Sequence, residues 1–318
     1  MSNLHDRPHD TDEPAAGMRP TTWDGYIGQE RMKDRLRLAL DATRNTGRPM
    51  THVLLTGPPG MGKTTIAGLI AGELGAHLNV TKRRLSATDI SDEIMWCDVA
   101  RGDDSTPVVW LVDEVHLLPT SGQDALLPVV EDYEFEAPWG AEPCPWLTIV
   151  AATTERGKVI EPLRDRFRID PPFDEYTSGE MARIVDGMAR KVGVVLPEGA
   201  SAGLARAAAG VPRQAARLVV AARDLADAGR AVTVESVLGV CRVTPDGYTR
   251  RHLDVLRVIR EVGGKAGLRL IADQAGMSTA EVELTERTLI RFGAIRRTPQ
   301  GRVLTGGGNQ VLRQHPDL

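Results

Sequence analysis

Apolar positions along the chain follow two different periods. Met32, Leu36 and Leu40 recur on one helical stripe, and Ile66, Leu69, Ile70 and Leu74 do the same over residues 63–74. The turn at 45–49 and Gly75 close these two helices. Between and after them lie short, mainly apolar stretches at 52–55, 107–112 and 147–152, which read as strands; the continuous run at 107–112 suits a strand buried on both faces of a parallel sheet. Helices are expected at 89–99 and 121–131, followed by a hairpin or loop at 133–146. Beyond Pro171-Pro172 the strand runs cease. Thr177 and Glu180 form a capping box for a helix that turns Met181, Ile184, Val185 and Met188 inward. More helices are expected at 199–209, 213–228 and 234–241. The last segment reads as helices at 248–262, 268–274 and 278–291, then two short strands at 294–299 and 301–305 around a tight turn. The pattern predicts an α/β domain at 19–174, a small helical domain at 175–242 and a winged helix at 243–318.

Composition narrows the classes. The chain has 318 residues, 42% of them hydrophobic, and a formal net charge of −4. That balance does not announce a nucleic-acid binder, but it is uneven. Residues 243–318 carry twelve Lys and Arg against eight Asp and Glu, a basic module on an acidic body. Cys97, Cys144 and Cys241 are isolated and suit a reducing cytoplasm rather than a disulfide framework or zinc site. The seven histidines have no metal-ligand spacing. No apolar run reaches membrane-spanning length. Residues 1–18 are polar and Pro-bearing, and are expected to be a disordered leader.

The chemistry begins at Gly57-Pro58-Pro59-Gly60-Met61-Gly62-Lys63-Thr64-Thr65, which fits G-x-x-x-x-G-K-[ST] between a strand and a helix. Glycines let backbone N–H groups curl around phosphate, and the helix start favours the same anion. Lys63 is expected to reach the β and γ phosphates of ATP, and Thr64 to ligate Mg²⁺. The run at 107–112 ends in Asp113 and Glu114, at the sheet edge where α/β ligands bind. Asp113 is expected to hold Mg²⁺ through water, and Glu114 to polarise the attacking water. His116 reads as structural. Arg164 and Arg166 are candidate cations for charge developing on the transferred phosphoryl group. Arg213, after Val211-Pro212, stands at a helix start, where a cation is electrostatically unusual. Lys82-Arg83-Arg84 is a basic cluster that suits either DNA contact or a solvated loop. Trp139 and Trp146 mark 133–146 as a partner surface or a segment packed onto the body. Arg296, Arg297 and Arg302 on the wing are placed for DNA phosphates.

This order of motifs resembles the RuvB-type Holliday junction branch migration motors, which are AAA+ ATPases. The likeness runs from Arg19 to about Leu312 and rests on RPTTWDGYIGQE, HVLLTGPPGMGKTT, LVDEVH, AATT, PLRDRF, GVPR and RRTPQGR. It implies an α/β AAA+ P-loop NTPase domain, a small helical domain and a winged helix that together drive branch migration in recombination and repair. It also implies that Tyr26 and Ile27 flank adenine and that Thr154 is the sensor that positions the lytic water. Arg166 would be the arginine finger acting on a neighbour's ATP, and Pro212-Arg213 the second sensor. A homo-hexamer on duplex DNA and four-way junctions follows. A RuvA-type partner is implied too, but 133–146 is shorter than the family's docking hairpin, which argues for reduced docking. Thr81-Lys82-Arg83-Arg84 also departs from the family pattern. The rival readings are a clamp or helicase loader, and a nucleotide-switched DNA-binding regulator.

Overall fold

The computed structural model describes residues 16–82, 84–102 and 106–315. Most of the expected leader, Arg83 of the basic cluster and the turn residues 103–104 lie outside them. By internal contacts the chain forms two units. One runs to Ile184 and takes in Val211–Arg213; the other comprises Val185–Gly210 and Gln214–Leu318. No described helix is long and apolar enough to cross a membrane.

The first unit is a parallel sheet between helices. Its elements are α1 (Glu30–Thr46), β1 (Val53–Thr56), α2 (Lys63–Leu74), β2 (His77–Thr81), α3 (Ala87–Ala100), β3 (Val108–Val112), α4 (Thr120–Ala125), α5 (Leu127–Asp132), β4 (Glu134–Ala137), β5 (Gly140–Pro143), β6 (Leu147–Thr153) and α6 (Glu161–Arg166). The sheet order is β1-β6-β3-β2, all parallel. Residues 169–172 add bridges beside β1. The mainly apolar stretches are explained by burial on both faces. In β3, Val108, Trp110 and Val112 enter one core with Ile149 and Leu163, while Val109 and Leu111 enter the other with Leu36 and Ile66. A strand sandwiched in this way has no face to give to polar residues.

Two expectations in this unit change. The helix expected at 121–131 is two helices that meet at Leu126. Pro128 sits at the start of the second, and its ring and missing N–H cannot continue the first. The segment 133–146 is a hairpin, with β4 and β5 antiparallel, but its tryptophans part company. Trp139 is 70% exposed at the tip. Trp146 packs on the core, with the Arg101 guanidinium 4.7 Å from its ring centroid. Trp146 is therefore partly buried on the body and not displayed at the tip; the apolar body beneath it and a cation above it hold it there.

The helical segment follows, with α7 (Ser178–Val192) opened by the expected Thr177–Glu180 box, then α8 (Ala200–Ala207), α9 (Pro212–Asp227) and α10 (Val234–Cys241). The C-terminal part is a winged helix. Its elements are α11 (Arg250–Glu261), β7 (Lys265–Ala266), α12 (Leu268–Ala275), α13 (Thr279–Arg291), β8 (Ile295–Thr298), β9 (Gly301–Leu304) and α14 (Gly306–Gln314). The strands form a sheet in the order β7-β9-β8. Leu253, Leu256 and Ile259 of α11 share its core with Ile271, Val282, Leu289 and Ile295. Neither β7 nor α14 was expected. β7 is two residues long, and α14 opens on three glycines, so neither has a readable period.

Candidate nucleotide site

Four segments meet at the C-terminal edge of the sheet. The loop 57–62 leaves β1 and enters α2 at Lys63. Gly60 and Gly62 have φ of 82° and 103°, left-handed values that favour glycine. Space is equally restrictive. A Cβ on Gly60 would lie 2.9 Å from side-chain atoms of Val211 and Arg213, and one on Gly62 would lie 2.9 Å from the Tyr26 hydroxyl. The glycine spacing thus serves two neighbours as well as the loop's own curvature. Pro58 and Pro59 are exposed, Met61 is buried, and Thr64 and Thr65 are half-buried in the first turn of α2.

Lys63 is buried and donates to the carbonyls of Gly57 at 2.8 Å and Pro58 at 3.1 Å. Burial lowers the pKa of its ammonium, against the opposing pull of Glu114 and Asp113, and the Arg213 charge adds to the lowering. Asp113 is pushed the other way, upward, by burial first and then by the Glu114 charge. Buried like charges side by side are unfavourable until a cation offsets them. The edge therefore holds an excess of partial and full charges that a bound polyanion and its counterion would balance.

Asp113 and Glu114 follow β3 directly. The Glu114 N–H donates to Asp113 Oδ1 at 3.1 Å, and Glu114 itself has φ 52°. That turn sends its carboxylate to the end of β6, where Oε2 accepts from the N–H and the hydroxyl of Thr154, both at 2.9 Å. His116 Nδ1 lies 3.2 Å from the same oxygen and 2.9 Å from the Thr153 hydroxyl. The structure thus brings Lys63, Asp113, Glu114 and Thr154 together and adds His116, which the sequence reading left as structural.

Tyr26 is buried, and its hydroxyl lies 3.5 Å from the Met61 carbonyl and 3.4 Å from the Tyr176 hydroxyl. Burial raises its pKa well above 10. Ile27 beside it is half-buried. Gln29 ties this segment down by exchanging two 2.8 Å hydrogen bonds with the backbone of Asp174. The roles of Gln29 and Tyr176 could not be read from the chain, because their partners are about 150 residues away in it. Arg213, at the second position of α9, donates its backbone N–H to the Gly60 carbonyl at 3.3 Å. An N–H of the first helical turn has no partner within its own helix. Pro212 has no N–H to offer, so the loop is met by Arg213.

Arg166 stands apart from this group. It ends α6, about one third exposed, with Nε 2.5 Å from Glu131 and Nη1 2.8 Å from the Pro162 carbonyl. The wing differs from expectation more sharply. β8 and β9 pair Arg297 directly with Arg302, so both side chains share one face, and that face covers α13. Arg302 is 7% exposed and ion-paired to Glu286, itself 3% exposed; Arg297 reaches the same carboxylate at 3.5 Å and stays largely exposed. Like charges directly opposite on a sheet repel, and Glu286 offsets them. Arg302 is therefore a fold-holding cation and not an outward phosphate ligand. Arg296, on the other face, is exposed.

Known proteins match this chain at both of its ends. A family model for the Holliday junction DNA helicase RuvB P-loop domain matches residues 18–172, and one for the RuvB C-terminal winged helix domain matches residues 246–313. The Holliday junction branch migration complex subunit RuvB of Bifidobacterium adolescentis is 33% identical, with 94% of this chain and 86% of the relative covered. That of Nitratidesulfovibrio vulgaris is 34% identical, with 91% and 93% covered. Among solved structures, the Thermotoga maritima RuvB Holliday junction branch migration motor superimposes with a TM-score of 0.80 at 31% identity, covering 93% of this chain and 98% of that one.

Proposed function

The chain belongs to the RuvB family of Holliday junction branch migration ATPases, and from that premise we propose how its residues divide the work. It is an ATP-dependent branch migration motor of recombination and repair, with an AAA+ ATPase domain, a helical subdomain and a winged helix. The rival readings as a loader or a switched regulator give way to the match at both ends of the chain.

ATP lies along the loop 57–62, with Tyr26 and Ile27 beside the adenine, and Lys63 exchanges its two carbonyl partners for β and γ phosphate oxygens. Glu114 takes the proton of the attacking water, and Thr154 holds that carboxylate in place. Arg213 reads the γ-phosphate from its own subunit. Arg166 leaves Glu131 to stabilise the charge on a neighbour's ATP, which requires a ring, and the family's hexamer supplies it. Mg²⁺ fits the residues present. Asp113 is pushed upward by burial and by the neighbouring Glu114 charge, and a divalent cation held mainly by phosphates and water would offset both carboxylates. Thr64 and Asp113 would hold it, where it would neutralise charge on the phosphates.

Arg296 and Arg297 meet duplex phosphates without sequence preference. Trp139 at the hairpin tip, its indole N–H on Glu142 at 2.7 Å, docks on a RuvA-type partner over a reduced area. The isolated cysteines suit work in the cytoplasm.

The observation that carries this reading is the convergence of Lys63, Asp113, Glu114 and Thr154 on one sheet edge, with the Arg213 backbone on the loop. The test is ATP-driven dissociation of a synthetic four-way junction by the full chain, with and without a RuvA-type protein, and with Lys63→Ala as the control. ATP-dependent dissociation, stimulated by the partner and absent in the control, is expected. ATP hydrolysis that never moves a junction in either arm would overturn it.

A further inference from the structure

We infer that His116 is a positioning residue for Glu114: its Nδ1–H helps to fix one carboxylate oxygen so that the other faces the attacking water. This rests on the reading of Glu114 as the water-activating base.

The geometry is specific. Glu114 opens the short 3-10 turn Val115–Leu117, which brings the His116 ring back over the Glu114 carboxylate. The His116 side chain is 5% exposed, so water does not compete for it. Nδ1 meets two oxygens, Thr153 Oγ1 at 2.9 Å and Glu114 Oε2 at 3.2 Å, while Nε2 lies 3.9 Å from Glu155 Oε1. The Thr153 hydroxyl accepts from the Glu155 N–H at 3.0 Å, which keeps it in place at the end of β6.

On this reading the proton sits on Nδ1. An ionised carboxylate only accepts, and an unprotonated Nδ1 would set its lone pair against Oε2 at 3.2 Å. With hydrogen on Nδ1 the ring donates to the Thr153 hydroxyl at 2.9 Å and lays the positive end of its N–H dipole beside Oε2. Oε2 accepts two hydrogen bonds from Thr154, from its N–H and its hydroxyl, and His116 adds an electrostatic contact to them. Oε1 has no hydrogen-bond partner among the described residues, and it is the oxygen left to accept a proton. Thr153, which ends β6, and Thr154, the next residue, divide the support: Thr154 holds the carboxylate and Thr153 the histidine beside it. Without the His116 donor the carboxylate keeps Thr154 but gains freedom to rotate its two oxygens. Aim matters for a general base before its proton affinity does, and a misplacement near 1 Å costs about 10²-fold in rate.

The experiment compares three single variants of the full chain, and one double variant, in DNA-stimulated ATP hydrolysis. His116→Phe keeps the ring without a donor. His116→Asn places an amide N–H near the position of Nδ1. Glu114→Gln removes the base. His116→Phe is expected to lower kcat about 10–100-fold, within the range that orientation effects reach, with KM for ATP unchanged. His116→Asn is expected to recover most of that loss. In the Glu114→Gln background His116→Phe should add nothing, because the two act as one unit. Histidine ¹⁵N NMR of the unmutated protein reads the same claim without turnover: Nδ1 should bear the proton. Wild-type kcat in His116→Phe, an Asn variant as slow as the Phe variant, or a KM that rises in step with the loss would overturn the inference. Should His116→Phe not fold, the NMR decides, and an unprotonated Nδ1 overturns it. Turnover that persists in Glu114→Gln would instead sink the reading of Glu114 as base, and this inference with it.

Discussion

The sheet edge and the wing each bury a basic side chain, and they hold it in opposite ways. Lys63 is 7% exposed and gives its ammonium to two neutral carbonyls, with Asp113 and Glu114 acting on it through space. Arg302 is just as buried but has a carboxylate of its own in Glu286. A cation kept for a polyanion must not be neutralised beforehand, and carbonyl partners can be exchanged for phosphate oxygens. A cation that holds a fold needs a fixed countercharge, since an unpaired buried charge is expensive. Burial alone therefore does not say what a charge is for; its partner does.

Arg166 is the residue most able to break this rule. It has a carboxylate partner, Glu131, yet sits one third exposed at the end of α6, where solvent weakens the pair and exchange is easy. Arg166→Ala is expected to lower kcat by about 10³–10⁵, the range of an arginine finger, with ATP binding and Tm unchanged. Mixing it with Lys63→Ala protein should restore hydrolysis, because an intact pocket then faces an intact finger. ATPase assays across mixing ratios and total concentrations check this. Full turnover with a lowered Tm would place Arg166 beside Arg302 and break the rule.

The wing supplies the converse. Glu286→Ala leaves Arg302 buried without its carboxylate and is expected to destabilise the C-terminal unit by about 3–5 kcal/mol, measured by urea unfolding. Glu286→Leu combined with Arg302→Leu should recover most of that loss. A single substitution with no effect would make the pair dispensable, and Arg302 free for other use.

A smaller effect is shared by both regions and so sharpens the contrast. Each domain holds a histidine kept neutral, His52 buried just before β1 and His252 part-buried in α11. Both pKa values are lowered to about 4, by burial first and for His252 also by the Arg291 charge. The ordinary value is 6.5, so the unfolded chain binds a proton that the folded chain refuses. Stability is full above pH 6.5 and is lost as pH falls towards 4, by about 3 kcal/mol for each histidine. Denaturant unfolding at pH 7 and pH 4 measures it. His52→Asn, which keeps an acceptor for the Ile149 N–H, should flatten the profile. An unchanged slope would exclude His52 as its source.

The smallest expected effect belongs to Arg296. Exposed on the wing, it should contribute one phosphate contact, so Arg296→Ala should lower the salt slope of duplex binding by about one, with a modest and sequence-independent loss of affinity. An unchanged slope would move DNA contact away from this strand.

Much of this was legible in the chain because it is local. The glycine loop, the strand that ends in Asp113-Glu114 and the capping box at Thr177 each depend on neighbours within a few residues. What could not be read depends on which strands lie side by side. His116 looked structural because β3 and β6 are adjacent only in space, and adjacency puts Thr153 and Thr154 against His116 and Glu114. Arg302 looked like a phosphate ligand because its charge is visible in the sequence, whereas the register that sets it opposite Arg297 and over Glu286 is not. Pro128, by contrast, is visible in the chain as a helix breaker, and it splits 121–131 at Leu126.

Thr153, the last residue of β6, and Thr154, just beyond it, also govern where this protein can change in length. Their side chains do separate tasks on neighbouring positions, so the insertion or deletion of one residue in that strand would hand each the other's partner and undo both. The β4–β5 hairpin has no such constraint, since its tip joins Ala137 to Gly140 through Pro138 and Trp139 alone. A residue added to or removed from the strand is therefore expected to cost turnover, whereas one added at the hairpin tip is expected to leave the nucleotide site as it is.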